Sequence, residues 1–187
     1  MAVQPVRHRF TVDDYYRMAE SGVLGPDDRV ELIEGEIVEM SPIGSRQAAC
    51  VGRLTRVFSR GLHETRAIVW VQNPVRLDQH SEPEPDLALL RPRPDYYADS
   101  HPGPGDVLLL VEVCDTTWAF DHGVKLPLYA AAGIPEVWLV NLVEATIEVS
   151  WEPGVGGYGQ TRALRPSDSI APHAFADLSL EVVDLLP

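Results

Sequence analysis

Lysine is almost missing from this 187-residue chain. Lys and Arg together number 15, and Lys125 is the only lysine among them. Arg stays protonated in a protein, whereas the Lys ammonium is compact and its pKa moves when it is buried. Lys125 therefore marks a position where a guanidinium is not interchangeable. Cysteine is nearly absent too. Cys50 and Cys114 lie far apart and form neither a metal-ligand pair nor a disulfide framework, so reduced thiols in a cytoplasmic protein are expected. No run approaches the roughly 18 apolar residues of a membrane-spanning helix. The start, Met1 to Arg9, has no apolar signal core, and export is not expected. Positive charge is scarce: 28 Asp and Glu leave a net charge of −13. That argues against a long non-specific nucleic-acid surface, because such binding is driven by cations neutralising phosphates. A nucleic-acid role must rest on a local patch or on bound metal.

What is present suits a single domain over residues 1–187, with 45% hydrophobic residues to fill a core. Thr11 can cap a short helix that Gly22 ends, with Asp14 as a capping-box partner. Val30–Ile33 and Glu36–Met40 flank Glu34-Gly35, a hairpin pattern. Residues 46–62 read as an amphipathic helix: Val51, Leu54, Phe58 and Leu62 form one stripe, and Arg53, Arg56 and Arg60 fall on the opposite side. Short β-like runs follow at Ala67–Val71, Pro74–Leu77 and Leu87–Leu90. Arg91–Asp106, with four prolines, reads as a loop. Val107–Cys114 reads as a strand buried on both faces, and Asp121–Ala132 as a helix ended by Gly133, with Pro127 against it. Val137–Asn141 and Ala145–Trp151 look like strands, Gly154–Gly159 like a turn, and the tail is mixed. The order fits a mixed sheet flanked by helices, an α/β fold with an N-terminal β-hairpin region.

The chemical anomaly is Glu112, a carboxylate inside the apolar run Val107-Leu-Leu-Leu-Val-Glu112-Val-Cys114. Burying it is costly unless it is paired, hydrogen-bonded or bound to metal. Strand alternation puts Leu108, Leu110, Glu112 and Cys114 on one face. Asp86 opens the Leu87–Leu90 run, and if the two strands are neighbours Asp86 and Glu112 converge. Two carboxylates with water and a substrate phosphate are a usual way to hold Mg²⁺. Lys125 can reach back over the same place, and Glu31 in the hairpin can supply a third oxygen ligand.

These residues, with Val30–Val38, Ser41–Ser45, Val71–Pro74, Ser81-Glu-Pro-Glu-Pro-Asp86, Leu110–Thr117, Asp121–Ala130 and Ala132–Val140, resemble the Uma-type branch of the PD-(D/E)xK nuclease superfamily over nearly the whole chain. The resemblance implies a restriction-endonuclease-like core and hydrolysis of phosphodiester bonds in nucleic acid, DNA foremost. It implies Mg²⁺ or Mn²⁺ on Asp86 and Glu112, with Lys125 as a catalytic lysine displaced onto the following helix. The usual lysine position falls on Cys114, which cannot replace it. Asp121 also matches the branch pattern. Many members carry His where this chain has Gln47, so the start of that helix receives no site role.

Plainer readings stand beside these. Glu112 can be a structural partner of Lys125, Glu31 a solvated strand residue, and the Arg53/Arg56/Arg60 stripe a solvated face, although it is the best basic patch for nucleic acid. The six histidines show no paired ligand spacing. Trp118 is the aromatic favoured for substrate contact. Two rival functions remain: a catalytically silent homodimeric binding or structural module, and a Schiff-base enzyme using Lys125.

Overall fold

The computed structural model describes residues 7–187; most of the segment read above for a signal core lies outside them. Helix α1 (Val12–Glu20) starts at a capping box, in which the Thr11 hydroxyl accepts from Asp14 N and the Asp14 carboxylate accepts from Thr11 N. β1 (Val30–Ile33) and β2 (Glu36–Glu39) form the expected antiparallel hairpin. Glu34 and Gly35 turn it with φ of 50° and 78°. A Cβ on Gly35 would stand 2.6 Å from Arg9 Cβ, so this turn needs glycine for space as well as for φ.

The main sheet has six strands in the order β3 (Ile68–Val71), β4 (Leu87–Leu90), β5 (Val107–Cys114), β6 (Glu136–Asn141), β7 (Thr146–Gly154) and β8 (Gly157–Leu164). Within it β5 and β6 pair in parallel and every other neighbouring pair is antiparallel. A parallel pair needs a crossover, and the helical segment from Trp118 to Ala132 provides it. Helix α2 (Ser45–Gly61) packs Cys50, Val51, Leu54 and Phe58 on one face of the sheet, against Leu109, Val111 and Val113. Leu54 and Phe58 are fully buried, worth about 1.5–3 kcal/mol each relative to exposure. The other face carries Leu110 and Cys114, covered by Tyr129 and Ile134. Glu112 points to that second face. A small pair, β9 (Ser169–Ile170) with β10 (Leu180–Glu181), and helix α5 (Val182–Leu185) finish the chain. Among the described residues no helix is long and apolar enough to cross a membrane.

Four local expectations change. Pro74–Leu77 is not a strand: Val75 N bonds Pro83 O and Leu77 N bonds Ser81 O, so the segment closes on its own return loop. The turn expected at Gly154–Gly159 is present but tighter, at Val155-Gly156, and a further strand, β8, follows from Gly157; its residues are mostly exposed, so no apolar alternation announced it. Leu108 leaves the Glu112 face, because Leu89 pairs with Leu109 and Leu90 with Val107, making Leu108 the extra residue of a bulge. The crossover helix is composite: α3 (Trp118–Phe120), a π-helical turn over Asp121–Lys125, then α4 (Leu126–Ala132). Pro127 has no N–H and its ring crowds the carbonyl four residues back. The ladder widens ahead of it, and Leu126 N bonds Asp121 O, five residues back.

Candidate active site

Leu87 pairs with Val111, so Asp86, one residue earlier, sits across from Glu112. Val113 N donates to Asp86 Oδ2 at 2.8 Å, and Asp86 N approaches Glu112 Oε2 at 3.4 Å. Lys125 closes the other side: its Nζ is 3.3 Å from Glu112 Oε1 and 3.0 Å from Glu31 Oε2. Tyr129, one helical turn beyond Lys125, donates its hydroxyl to Glu112 Oε1 at 2.6 Å. Glu84 N donates to Glu31 Oε2 at 3.1 Å. Thus Asp86, Glu112, Lys125 and Glu31, from four different elements of the chain, meet in one cluster. Each is at most 8% exposed.

The two oxygens of Asp86 are further held by side-chain amides. Gln47 Nε2 donates at 3.1 and 3.3 Å, and Gln72 Nε2 at 3.3 Å. Gln47 lies in the first turns of α2, so the start of that helix does belong to the site, contrary to the sequence reading. A side-chain amide carries N–H donors, so Gln47 can make this contact without an imidazole. Gln72 has a positive φ of 49°, a conformation that costs a non-glycine residue on the order of 1–3 kcal/mol; its N–H also donates to Asp86 O at 3.2 Å. Gln72, Tyr129 and Glu84 carried no signal of their own in the sequence. For Tyr129 the i,i+4 spacing from Lys125 was the one available hint.

Charge in this cluster is unbalanced. Glu31, Glu84, Asp86, Glu112 and Asp121 surround a single lysine, all lining one cavity of about 520 Å³. Burial, then the Glu112 charge, pushes Asp86 up to about 6, against the pull of Val113 N–H and the two amides. Burial, then Glu112, likewise pushes Asp121 up to about 6, although Thr117 donates to it. Burial raises Glu31 and Glu84. Burial works against the Lys125 ammonium, but Glu112, Glu31 and Asp121 outweigh it and raise its pKa. Lys125 is therefore a fixed positive charge, which disfavours both a proton-accepting and a Schiff-base role. Cys114 is buried, and burial followed by nearby carboxylates raises its thiol pKa.

The ion pair anticipated as the plain explanation of Glu112 is present, but Asp86 is brought to the same carboxylate. The Arg53/Arg56/Arg60 stripe is exposed on α2 and does not line the cavity. By helical geometry it stands roughly 180–240° round from Gln47. Trp118 is turned to other uses: its ring stacks on His122 at 5.3 Å and packs against the second core cluster. The aromatic lining the cavity is Phe120.

Residues 12–183 match the Uma2 family, described as "putative restriction endonuclease". The chain belongs to this family. Four solved chains are also similar in structure. One is from Anabaena variabilis, described as "a putative nuclease belonging to DUF820"; it has a TM-score of 0.71 and 16% identity, over 94% of this chain and 97% of that one. At that identity the likeness establishes the fold, a nuclease-like mixed sheet flanked by helices. No curated protein matches. Within this Uma2-family fold, the strand bearing Glu112 and the start of the strand after Asp86 supply the paired carboxylates, and the crossover helix supplies Lys125.

Proposed function

We propose that this Uma2-family protein is a Mg²⁺- or Mn²⁺-dependent nuclease that hydrolyses phosphodiester bonds, with DNA as the substrate. The observation that carries the reading is the convergence of Asp86, Glu112 and Lys125 at one cavity. The donor set fits a divalent cation. Two adjacent buried carboxylates sit in a site with far more negative than positive charge, and hard oxygen donors suit Mg²⁺. Among the described residues no group of three or more His, Cys, Asp or Glu is arranged to hold an ion unaided. One or two carboxylates completed by water and substrate phosphate are the usual Mg²⁺ arrangement.

Asp86 and Glu112 would hold the ion, with Glu31 as the third carboxylate available. A bound ion would supply positive charge for the phosphate oxygens and lower the pKa of a water. Gln47, Gln72 and Val113 N–H fix the Asp86 carboxylate, and Tyr129 fixes Glu112. Lys125, held charged between Glu112 and Glu31, stabilises negative charge developing at the phosphate. Arg53, Arg56 and Arg60 would contact phosphates outside the cavity. The free, buried thiols of Cys50 and Cys114 suit a cytoplasmic location.

The test is cleavage of several nucleic-acid forms with Mg²⁺ or Mn²⁺, comparing wild type with Glu112→Ala. Metal-dependent cleavage by wild type alone supports the reading. Equal cleavage by both proteins, or none by either, removes it.

A further inference from the structure

The cavity wall opposite in character to its acidic cluster is apolar and belongs to no core. Val38, Met40, Ile43 and Phe120 all line the cavity. None of the four belongs to either hydrophobic cluster of the fold or packs against one. Ile43 is 37% exposed, and Phe120 is half-buried at the end of α3. These four side chains therefore lie outside both cores and present apolar surface to the cavity. The same cavity is lined by seven carboxylates and by two cations, Arg29 and Lys125. Duplex affinity comes chiefly from cations that neutralise phosphates, and this lining offers few. Single-strand affinity also uses cations, with a weaker counterion contribution per contact, and adds stacking of unpaired bases upon aromatic rings, about 5- to 150-fold per base. A volume of about 520 Å³ lies within the roughly 300–1,000 Å³ of sites that enclose a small ligand, which suits one nucleotide better than a double helix. Asp86, Glu112 and Lys125 line this cavity and are at most 8% exposed, so a phosphate reaches them by entering the cavity rather than by resting on the protein surface.

We infer that the cavity receives an unpaired nucleotide of a single strand, its base against Phe120 and the Met40/Ile43 wall and its phosphate toward Asp86 and Glu112. This rests on the nuclease reading and specifies its substrate class. Trp118, stacked on His122, is excluded from that contact by its own packing.

The test measures binding of labelled oligonucleotides of one length in Mg²⁺: single-stranded DNA, single-stranded RNA and duplex DNA. Wild type, Phe120→Ala and Phe120→Trp are compared, and each sample is also run on a gel for cleavage. Melting temperatures check that the variants fold. The expected result is at least tenfold tighter binding of a single strand than of duplex, a preference lost in Phe120→Ala and kept in Phe120→Trp. The two single-strand arms identify the sugar. Duplex bound as tightly as single strands, a preference unchanged in a folded Phe120→Ala, or binding to none of the three would overturn the inference. Single-strand preference without cleavage would sustain it and remove the nuclease reading. Cleavage of duplex and single strands alike, without preference, would do the reverse.

Discussion

Lys125 Nζ lies 3.3 Å from Glu112 Oε1, with both side chains almost completely buried. The partner on its other side is Glu31, at 3.0 Å. A compact ammonium fits this gap; a planar, wider guanidinium does not. Lys125→Arg is expected to fold but to lose activity by the roughly 10²–10³-fold associated with a misplaced charge stabiliser. Cleavage rate and melting temperature are to be read beside Lys125→Ala. Wild-type activity in the Arg variant would reduce Lys125 to an electrostatic clamp, and a collapsed melting temperature would make it structural.

Asp86 and Glu112 should dominate cation affinity, because theirs are the two carboxylates brought together by the β4–β5 register. Calorimetric titration with Mn²⁺ is expected to show one site. Asp86→Ala and Glu112→Ala should each weaken it by more than the roughly 10–100-fold of losing an outer hydrogen-bond partner. Unchanged affinity in the double variant would rule out this site.

Asp121 gives a pH signature in metal-free protein. Its folded value is pushed up to about 6 from an ordinary 3.8. Below 3.8 the carboxyl is protonated whether folded or not, and the shift costs nothing. Between 3.8 and 6 the folded state keeps a proton that the unfolded chain has lost, so stability falls as pH rises. Above 6 the whole cost is present, on the order of 3 kcal/mol. Asp121→Asn should therefore melt higher than wild type at pH 8, with the advantage shrinking as pH drops through the 6-to-4 window. A difference that stays constant across pH 4–8 would show that Asp121 carries no such strain.

The arginine stripe makes a separable prediction. Arg53, Arg56 and Arg60 lie away from the cavity, so replacing all three by Ala should weaken nucleic-acid binding irrespective of sequence. It should flatten the salt dependence by about one unit of log–log slope per lost phosphate contact. An unchanged slope in the triple variant would identify the stripe as a solvated helix face.

Much of the molecule was legible in the order of residues. The Thr11/Asp14 cap, the Glu34-Gly35 turn and the apolar stripe of α2 are local, and local physics decides them: free helix donors, positive φ, and a 3.6-residue period. Glu112 announced itself because a carboxylate in a run of buried apolar residues demands a partner, and Lys125 because it stood alone among arginines. Tertiary structure decided what sequence distance conceals. The β4–β5 register sets Asp86 against Glu112. Gln47 and Gln72, ordinary polar residues in sequence, become site residues because α2 and the end of β3 deliver their amides to one carboxylate. Pro127 was read as a weakness in a helix, and the fold absorbs it as a π-helical turn through which Asp121 and Lys125 both become buried. Phe120 rather than Trp118 lines the cavity: Trp118 packs on His122 and the second core cluster, whereas Phe120 lies outside both clusters. Partnership of this kind is a property of packed surfaces, and it comes into being when the chain closes on itself.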